Sequence, residues 1–226
     1  MSFPKIIIVI VFLCGQPWGR LFGAHRMPPV LKEPTMRLVS LRRGRMLPTA
    51  LLALIPAVGY PQSFSANVDD LDQHGNFSNA QVYNGFGCHG ANVSPHISWS
   101  HVPAGTKSIV LTVHDPDAPT GGLGWTHWTI VNISPTVTSI EAGASGDAGR
   151  MPAGAVETLT DFGSSAYGGP CPPLGEVHRY VVTISALSVA SIDVKPAASP
   201  ALVAYQMHGN IIAQAKYIAR YQRISP

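Results

Sequence analysis

Short apolar segments, separated by clusters of glycine, proline, asparagine and aspartate, make up the chain from residue 66 onward. Apolar residues occupy every second position in several of these segments, which is the period of a β-strand with one buried face. The pattern predicts strands over residues 97–100, 108–114, 126–133 and 178–187, with long loops over 115–124, 141–154 and 163–175. Many short strands with turn-rich connections are typical of an all-β sandwich or barrel, so we predict a mostly β fold.

The segment after residue 198 follows a different pattern, which predicts helix rather than strand. Ser199 suits the N-cap of a helix, and Pro200 suits its first turn. From there the apolar residues recur at helical spacing, namely Leu202, Val203, Ile211, Ile212, Ala215, Ile218 and Ala219. We expect Gly209 to bend or divide the helix. Cations suit the C-terminal end of a helix, where the chain has Lys216, Arg220 and Arg223.

Charge is divided unevenly along the chain, and the division limits the classes of partner. Residues 1–65 carry eight basic residues and one acidic residue, whereas residues 66–226 carry seven basic and eleven acidic residues. The formal net charge of +3 is therefore the sum of a basic leader and a mildly acidic domain. We expect such a domain to bind no nucleic acid and to have no stable membrane insertion, so any anion must be recognised in a local pocket.

The leader, residues 1–65, has the features of an export signal ahead of a single domain over 66–226. Four arginines between positions 37 and 45 precede an apolar stretch over 46–59, and Ser63 and Ser65 place small side chains before a cut at Ala66. This order predicts a secretory signal peptide within 36–65, and hence export to the bacterial periplasm or secretion. A buried N-terminal helix is the alternative. We interpret residues 1–35 as an over-long start, with translation beginning at Met36 or Met46.

Three cysteines are too few for a disulfide scaffold, and Cys14 lies in the leader. The domain itself contains Cys88 and Cys171. In an oxidising compartment an even pair favours one disulfide, and two buried free thiols are the alternative.

Three polar clusters lie at the ends of the predicted strands. Residues 115–119 read Asp-Pro-Asp-Ala-Pro after one strand, residues 124–128 read Gly-Trp-Thr-His-Trp at the start of the next, and the glycine- and proline-rich segment 168–173 precedes His178-Arg179-Tyr180. Imidazole and phenol groups donate hydrogen bonds to an oxyanion, and glycines let the backbone approach a ligand closely. Asp115 can orient a histidine or meet a cationic part of the ligand. Together the clusters suit a phosphate monoester or a phospholipid headgroup.

The order and spacing of these clusters resemble the phosphatidylethanolamine-binding protein family, also called Raf-kinase-inhibitor-like, in its bacterial branch. The resemblance runs from about Gln81 to Tyr221 and rests on the segments 94–99 (Ser-Pro-His-Ile-Ser-Trp), 115–119, 127–128 (His-Trp), 169–173 (Gly-Pro-Cys-Pro-Pro) and 178–180. It implies a two-sheet antiparallel β-sandwich with Greek-key connections and C-terminal α-helices. It also implies a small anion pocket formed by Asp115, Asp117, His127, Gly169, Pro170, His178 and Tyr180. Cys171 would lie close to this pocket, with Cys88 as its partner.

A non-enzymatic binding protein for phosphate-containing groups is the function that we favour. A kinase-inhibitor-like regulatory role is a further hypothesis from the resemblance, and a homodimer is compatible with it. We expect the protonated histidines to bind the anion, so affinity should fall as pH rises through their pKa values. The alternative is a hydrolase in which His127 or His178 is the general base and Asp115 orients it. Neither Cys-x-x-Cys nor His-Glu-x-x-His occurs in the sequence, so we predict no metal site and no cofactor.

Overall fold

The computed structural model describes residues 62–224. All of them belong to one compact unit. The predicted signal peptide and the interpretation of residues 1–35 therefore lie outside the described residues, except for the predicted cut. Ser65, the residue before that cut, is the first residue of the first strand, where it pairs with Ser100 of a neighbouring strand. A cut at Ala66 would therefore shorten the first strand from four residues to three.

Ten strands and one short helix make up the described part of the chain. In chain order they are β1 (Ser65–Val68), β2 (Asn84–Gly85), β3 (Cys88–His89), β4 (Ile97–Ser100), β5 (Ser108–Asp115), β6 (Trp125–Ile133), β7 (Ser139–Ile140), β8 (Val156–Glu157), β9 (Val177–Leu187), α1 (Pro200–Met207) and β10 (Ile211–Gln222). The predicted strands over 97–100, 108–114, 126–133 and 178–187 are confirmed to within one residue, because their β-branched and aromatic residues leave no competing helical pattern.

The described strands form three antiparallel sheets. The largest has five strands in the order β10-β9-β5-β6-β8, the second has three in the order β1-β4-β7, and β2 pairs with β3. The mostly β prediction is confirmed, while the Greek-key sandwich stays a prediction. None of the described helical segments is long and apolar enough to cross a membrane.

The prediction that the helix continues through residue 219 is wrong for the residues after 207. α1 ends at Met207, Gly209 adopts a left-handed backbone with φ 77°, and the chain then enters β10. In β10 the more buried residues alternate with exposed ones, as in a strand with one face on the core. Alanines and isoleucines on both faces match a period of 3.6 by coincidence. A strand is favoured because it pairs with β9 along its whole length.

Two hydrophobic clusters form the core. The larger joins residues of the two main sheets, including Ile97 and Trp99 from β4 and Leu111 and Trp128 from the five-stranded sheet. The smaller lies beneath α1 and contains Val110, Val131, Leu187, Ile192, Ala198, Val203 and Met207. The helix therefore covers one end of the outer face of the large sheet, where Val203 and Met207 are buried, whereas Leu202, expected on the same apolar side, is exposed.

A disulfide joins Cys88 of β3 to Cys171, whose Cα atoms lie 6.0 Å apart. The bond connects two segments separated by 83 residues in sequence. It holds the β2–β3 hairpin against the proline-rich loop that precedes β9.

Candidate functional site

A buried ion pair lies where the end of β5 meets the start of β9. His178 Nδ1 lies 2.7 Å from Asp115 Oδ2, and both side chains are about 95% shielded from solvent. The other oxygen of Asp115 accepts a hydrogen bond from the backbone N–H of Asp117 at 2.8 Å. This second bond fixes the carboxylate, so Asp115 orients the imidazole as the sequence analysis expected.

The second nitrogen of His178 also has an acidic partner, which the sequence analysis missed. Glu176 Oε2 lies 3.1 Å from His178 Nε2, and the Glu176 side chain is 57% exposed. Burial lowers the pKa of His178, but its hydrogen bonds to Asp115 and Glu176 outweigh burial and raise the pKa above its ordinary value. Because ionised carboxylates only accept hydrogen bonds, a partner on each ring nitrogen favours the doubly protonated imidazolium. Glu176 lies one residue before β9 and two residues before His178, and extending the strand alternation by that one residue could have indicated it.

His127 reaches the same cavity because of a bulge in β6. Trp128 pairs with Val113 of β5, whereas Thr126 pairs with the next residue, His114, so His127 is an extra residue without a partner. A bulge of this kind turns a side chain away from the face that simple alternation would assign.

The alternation of β6 predicts that His127 and Thr129 share a face, and this prediction is wrong. His127 lines the same cavity as Asp115, while Thr129 lines a separate groove on the other side of the sheet, beside α1. The bulge is the physical reason, and a single sequence shows no signal for it.

Hydrogen bonding defines the proton position on His127. Its Nδ1 lies 2.6 Å from the carbonyl oxygen of Gly168, which can only accept, so Nδ1 carries the proton. Burial lowers the pKa of His127 to about 4, although the carbonyl bonds and Asp115 oppose this shift. His127 is therefore neutral at physiological pH, and its Nε2 is an acceptor. The expectation that both histidines bind an anion as cations is wrong for His127.

The buried His178–Asp115 pair and His127 line a cavity of about 410 Å³. Aromatic and proline side chains surround these polar groups, and Cys171 of the disulfide lies in the wall. The remaining lining residues are Phe86, Ala118, Pro119, Thr120, Trp125, Phe162, Pro172, Pro173 and Arg223. A cavity with apolar walls and a few convergent polar groups is the usual form of a small-ligand site.

Arg223 is a cavity residue that the sequence analysis assigned to a helix end. Because β10 is extended, it carries the chain past β9, and the guanidinium Nη2 of Arg223 donates to the carbonyl oxygen of Gly87 at 2.6 Å. A correct strand assignment for 211–222 is the signal that would have found it.

Tyr180 lies behind the cavity rather than in its lining. Its ring meets the ring of His127 edge to face at 5.1 Å, and it is almost completely buried. Burial raises the pKa of the Tyr180 phenol well above its ordinary value. Within residues 62–224 its hydroxyl has no hydrogen-bond partner, so the phenol is a free donor beside His127.

Three other predicted ligand residues support the site from outside its lining. Asp117 receives hydrogen bonds from Arg179 Nε at 2.9 Å and Nη2 at 2.6 Å, and the Arg179 bonds lower the pKa of its carboxyl group to about 2. The backbone N–H of Gly169 donates to Asn92 Oδ1 at 2.8 Å, and the carbonyl oxygen of Pro170 accepts from the backbone of Tyr83 at 3.1 Å. These contacts hold the loops that form the cavity wall.

Gly169 is required by close packing at this wall. A Cβ atom there would lie 2.0 Å from the carbonyl oxygen of Gln81, a contact that only backbone movement could relieve.

Among the described residues there is no cluster of three or more histidine, cysteine, aspartate or glutamate side chains able to hold a metal ion.

The sequence matches the family called phosphatidylethanolamine-binding protein over residues 70–222, and the chain belongs to this family. The resemblance inferred from the motifs is therefore confirmed.

Bacterial proteins are among the most similar relatives. The chain is 43% identical to the UPF0098 protein YbhB of Escherichia coli strain K12 over 153 residues, which are 68% of this chain and 96% of YbhB. It is 41% identical to the UPF0098 protein YbcL of the same organism over 180 residues, which are 78% of this chain and 97% of YbcL.

Solved structures agree with the family assignment. The crystal structure of Escherichia coli YbcL, called a new member of the mammalian PEBP family, has a TM-score of 0.67 at 43% identity. The matched region covers 70% of this chain and 98% of the YbcL chain. A homologue from Chlamydia trachomatis has a TM-score of 0.56 at 29% identity and covers 71% of this chain and 98% of its own.

Proposed function

We propose that this protein is a non-enzymatic binding protein whose cavity takes a phosphate-containing group, from a phospholipid headgroup or a phosphorylated small molecule. The observation that carries the proposal is the buried His178–Asp115 pair lining the 410 Å³ cavity. An imidazolium held by a buried carboxylate is a fixed, charge-assisted donor for an anion. Arg223 supplies a second cationic side chain to the same cavity.

The two histidines offer opposite hydrogen-bonding roles, which fit a protonated phosphate. His178 is a donor through Nε2 because it is charged, while His127 is an acceptor through Nε2 because it is neutral. Inorganic phosphate or a phosphate monoester in its singly protonated form can accept from the first and donate its P–OH to the second, whereas the phosphodiester of a phospholipid has no P–OH and would use only the first. Sulfate has no proton to donate at neutral pH. Its negatively charged oxygen atoms would therefore face the lone pair of His127 Nε2 without a hydrogen bond.

Apolar walls favour a phosphate that is attached to an organic group. Phe86 and Phe162 stack with ring centroids 6.0 Å apart, and Phe162 meets Trp125 edge to face at 5.4 Å. Phe86 is 68% exposed, so this aromatic cluster reaches the protein surface. A ligand with its phosphate at the histidines would place its remaining atoms against these rings.

A hydrolase is the second function, and the Asp115–His178 contact is the observation that favours it. A carboxylate that orients a histidine is the usual arrangement of a general base. However, both ring nitrogens of His178 donate to carboxylates, so neither has the lone pair that a general base needs, whereas an N–H group can still donate to an anion. Cys171, the cysteine in the cavity wall, forms a disulfide with Cys88, so it has no free thiol that could act as a nucleophile. These contacts support binding over catalysis.

The wider part of the proposal concerns location, architecture and regulation. We infer export through a signal peptide within residues 36–65, in agreement with a disulfide that an oxidising compartment would maintain. We also infer that the two main sheets form the layers of a Greek-key sandwich, because one hydrophobic cluster contains side chains from both. A kinase-inhibitor-like role rests on the alternative family name.

Calorimetric titration with inorganic phosphate, phosphoethanolamine and sulfate tests the proposal. We expect both phosphate probes to bind, sulfate to bind at least tenfold more weakly, and His178→Asn to weaken phosphate binding by tenfold or more. His208→Gln, at an exposed histidine beyond α1, is the matched control. Vesicles containing phosphatidylethanolamine distinguish a headgroup ligand from a free phosphate.

Two results would overturn the proposal. One is the absence of phosphate binding at millimolar concentration to the folded wild-type protein. The other is turnover of p-nitrophenyl phosphate that is lost in His178→Asn, which would establish the hydrolase instead.

A further inference from the structure

Neither ring nitrogen of His178 is available to a ligand in this structure. Nδ1 is bound to the buried Asp115, and Nε2 is bound to Glu176 at 3.1 Å. The cavity is therefore lined by an imidazolium whose two N–H groups are both occupied. An anion that uses His178 must replace one of these carboxylates.

The two carboxylates differ in how easily they can leave. Asp115 is buried and is also held by the backbone N–H of Asp117, so removing it would leave a buried charge without a partner. Glu176 is 57% exposed, and among residues 62–224 the hydrogen-bond partner of its carboxylate is His178 alone. When this carboxylate leaves His178, water molecules hydrate it, and this hydration compensates for the lost contact. Glu176 is therefore the carboxylate that an entering anion would displace.

We propose that Glu176 is a resident substitute for the ligand anion, occupying Nε2 of His178 in the empty site and leaving it when a phosphate-containing ligand binds. The inference rests on the proposed function, because it assigns a competitor to the same anion site. Glu176 then sets the affinity of the site. It keeps His178 paired while the cavity is empty and lowers the affinity for weak anions.

Electrostatics in the cavity supports the same conclusion. Asp115 and Glu176 place two negative charges beside the single positive charge of His178, and Arg223 is the other cationic side chain in the lining. His127 is neutral and contributes no charge. While Glu176 is bound to His178, its negative charge repels an incoming anion and its carboxylate occupies the Nε2 donor. When the Glu176 side chain turns into solvent, the repulsion weakens and Nε2 becomes available.

The test compares phosphate binding by the wild-type protein, Glu176→Gln and Glu141→Gln. Glutamine keeps the size of the side chain but removes its charge. Glu141 is the matched control because it is also exposed, also lies near a histidine, with 3.8 Å between Glu141 Oε1 and His96 Nε2, and its substitution changes the net charge equally. We expect Glu176→Gln to bind inorganic phosphate about two- to fivefold more tightly than both other proteins, the range expected for a partly solvated charge pair.

The pKa of His178, followed by NMR, provides a second readout that a structural role would not change. In the empty protein Glu176→Gln should lower the pKa of His178, because the Glu176 bond helps to raise it. At saturating phosphate the difference between the two proteins should shrink, because the ligand occupies Nε2 in both. An undiminished difference at saturation would show that Glu176 stays on His178 and would overturn the inference.

The failure of this inference can be distinguished from failure of the proposed function. If the wild type and Glu141→Gln bind phosphate but Glu176→Gln binds it equally or more weakly, Glu176 is a positioning residue and the competitor role is wrong. If none of the three folded proteins binds phosphate, the proposed function fails, and the inference fails with it.

Discussion

The two buried histidines of the cavity are held in opposite protonation states by their hydrogen-bond partners. His178 has carboxylates on both nitrogens, whereas His127 has a carbonyl oxygen on one. A carboxylate favours the imidazolium strongly, while a single carbonyl does not compensate for complete burial. One cavity thus contains a fixed donor and a fixed acceptor made from the same side chain.

The His127 pKa makes the stability of the protein sensitive to acid. Its folded-state pKa of about 4 lies below the ordinary value of 6.5, so the unfolded chain binds the proton first and stability falls as pH drops from 6.5 towards 4. His127→Gln should remove up to about 3 kcal/mol of this acid-dependent loss. Urea unfolding of both proteins between pH 4 and 7 measures the difference, and parallel pH profiles would contradict the assignment.

His178 has the opposite sign, and the two effects can be separated by pH. Its raised pKa adds stability that is fully present below 6.5 and is lost as pH rises through the folded-state value. In urea unfolding extended to about pH 9, His178→Asn should be less stable than the wild type by a constant amount below pH 6.5, and this difference should shrink as pH rises above it.

Strand β10 shows how an element can carry a misleading sequence period. Ala215 and Ala219 face the core, while Lys216 and Arg220 between and beside them are exposed. The four strands rich in β-branched residues were predictable, because their alternation has a single explanation. The period of β10 is ambiguous, since small residues on one face and isoleucines on the other satisfy both templates; only the pairing with β9 decides.

Packing on β10 provides a test of which of its side chains face the core. Ala219 is fully buried against the larger cluster, so Ala219→Leu should overpack the core and lower the free energy of unfolding by about 1–3 kcal/mol. Arg220→Leu introduces the same side chain at the adjacent exposed position and should change stability by less than about 0.5 kcal/mol. Similar losses for both substitutions, measured by urea unfolding, would contradict the alternation.

The site was only partly predictable for the same physical reasons. Asp115 and His178 were found because strand ends meet at one edge of a sheet, and their motifs are specific. The orientation of His127 depends on a bulge, and that of Arg223 depends on β10, and neither feature has a local signature. Asp117, Gly169 and Pro170 have residue types suited to ligands, but tertiary contacts use them to hold loops.

At the scale of the whole molecule, the disulfide connects distant segments that form the cavity wall. Cys171 lines the cavity itself, and Phe86, another lining residue, lies two positions before Cys88. Closing a loop of this length restricts the unfolded chain, so the bond stabilises the fold as well as the wall.

Replacing both cysteines tests that contribution. Cys88→Ser combined with Cys171→Ser should lower the free energy of unfolding by about 2–5 kcal/mol. Phosphate affinity should fall as well, because the wall segments become less restrained. Wild-type protein treated with a reductant should show the same two changes, and unaltered thermal unfolding would contradict the prediction.

Arg223 has a consequence for how the cavity forms as the chain is made. Lining residues extend from Phe86 to Arg223, so contacts between segments far apart in sequence must all form before the cavity exists. Such non-local contacts slow folding, because much of the chain must be ordered before they contribute stability. A nascent chain exposes Asp115 and His178 well before synthesis reaches Arg223. The cavity is therefore complete only after β10 has been made, and on the proposed function a bound anion would report that folding is complete.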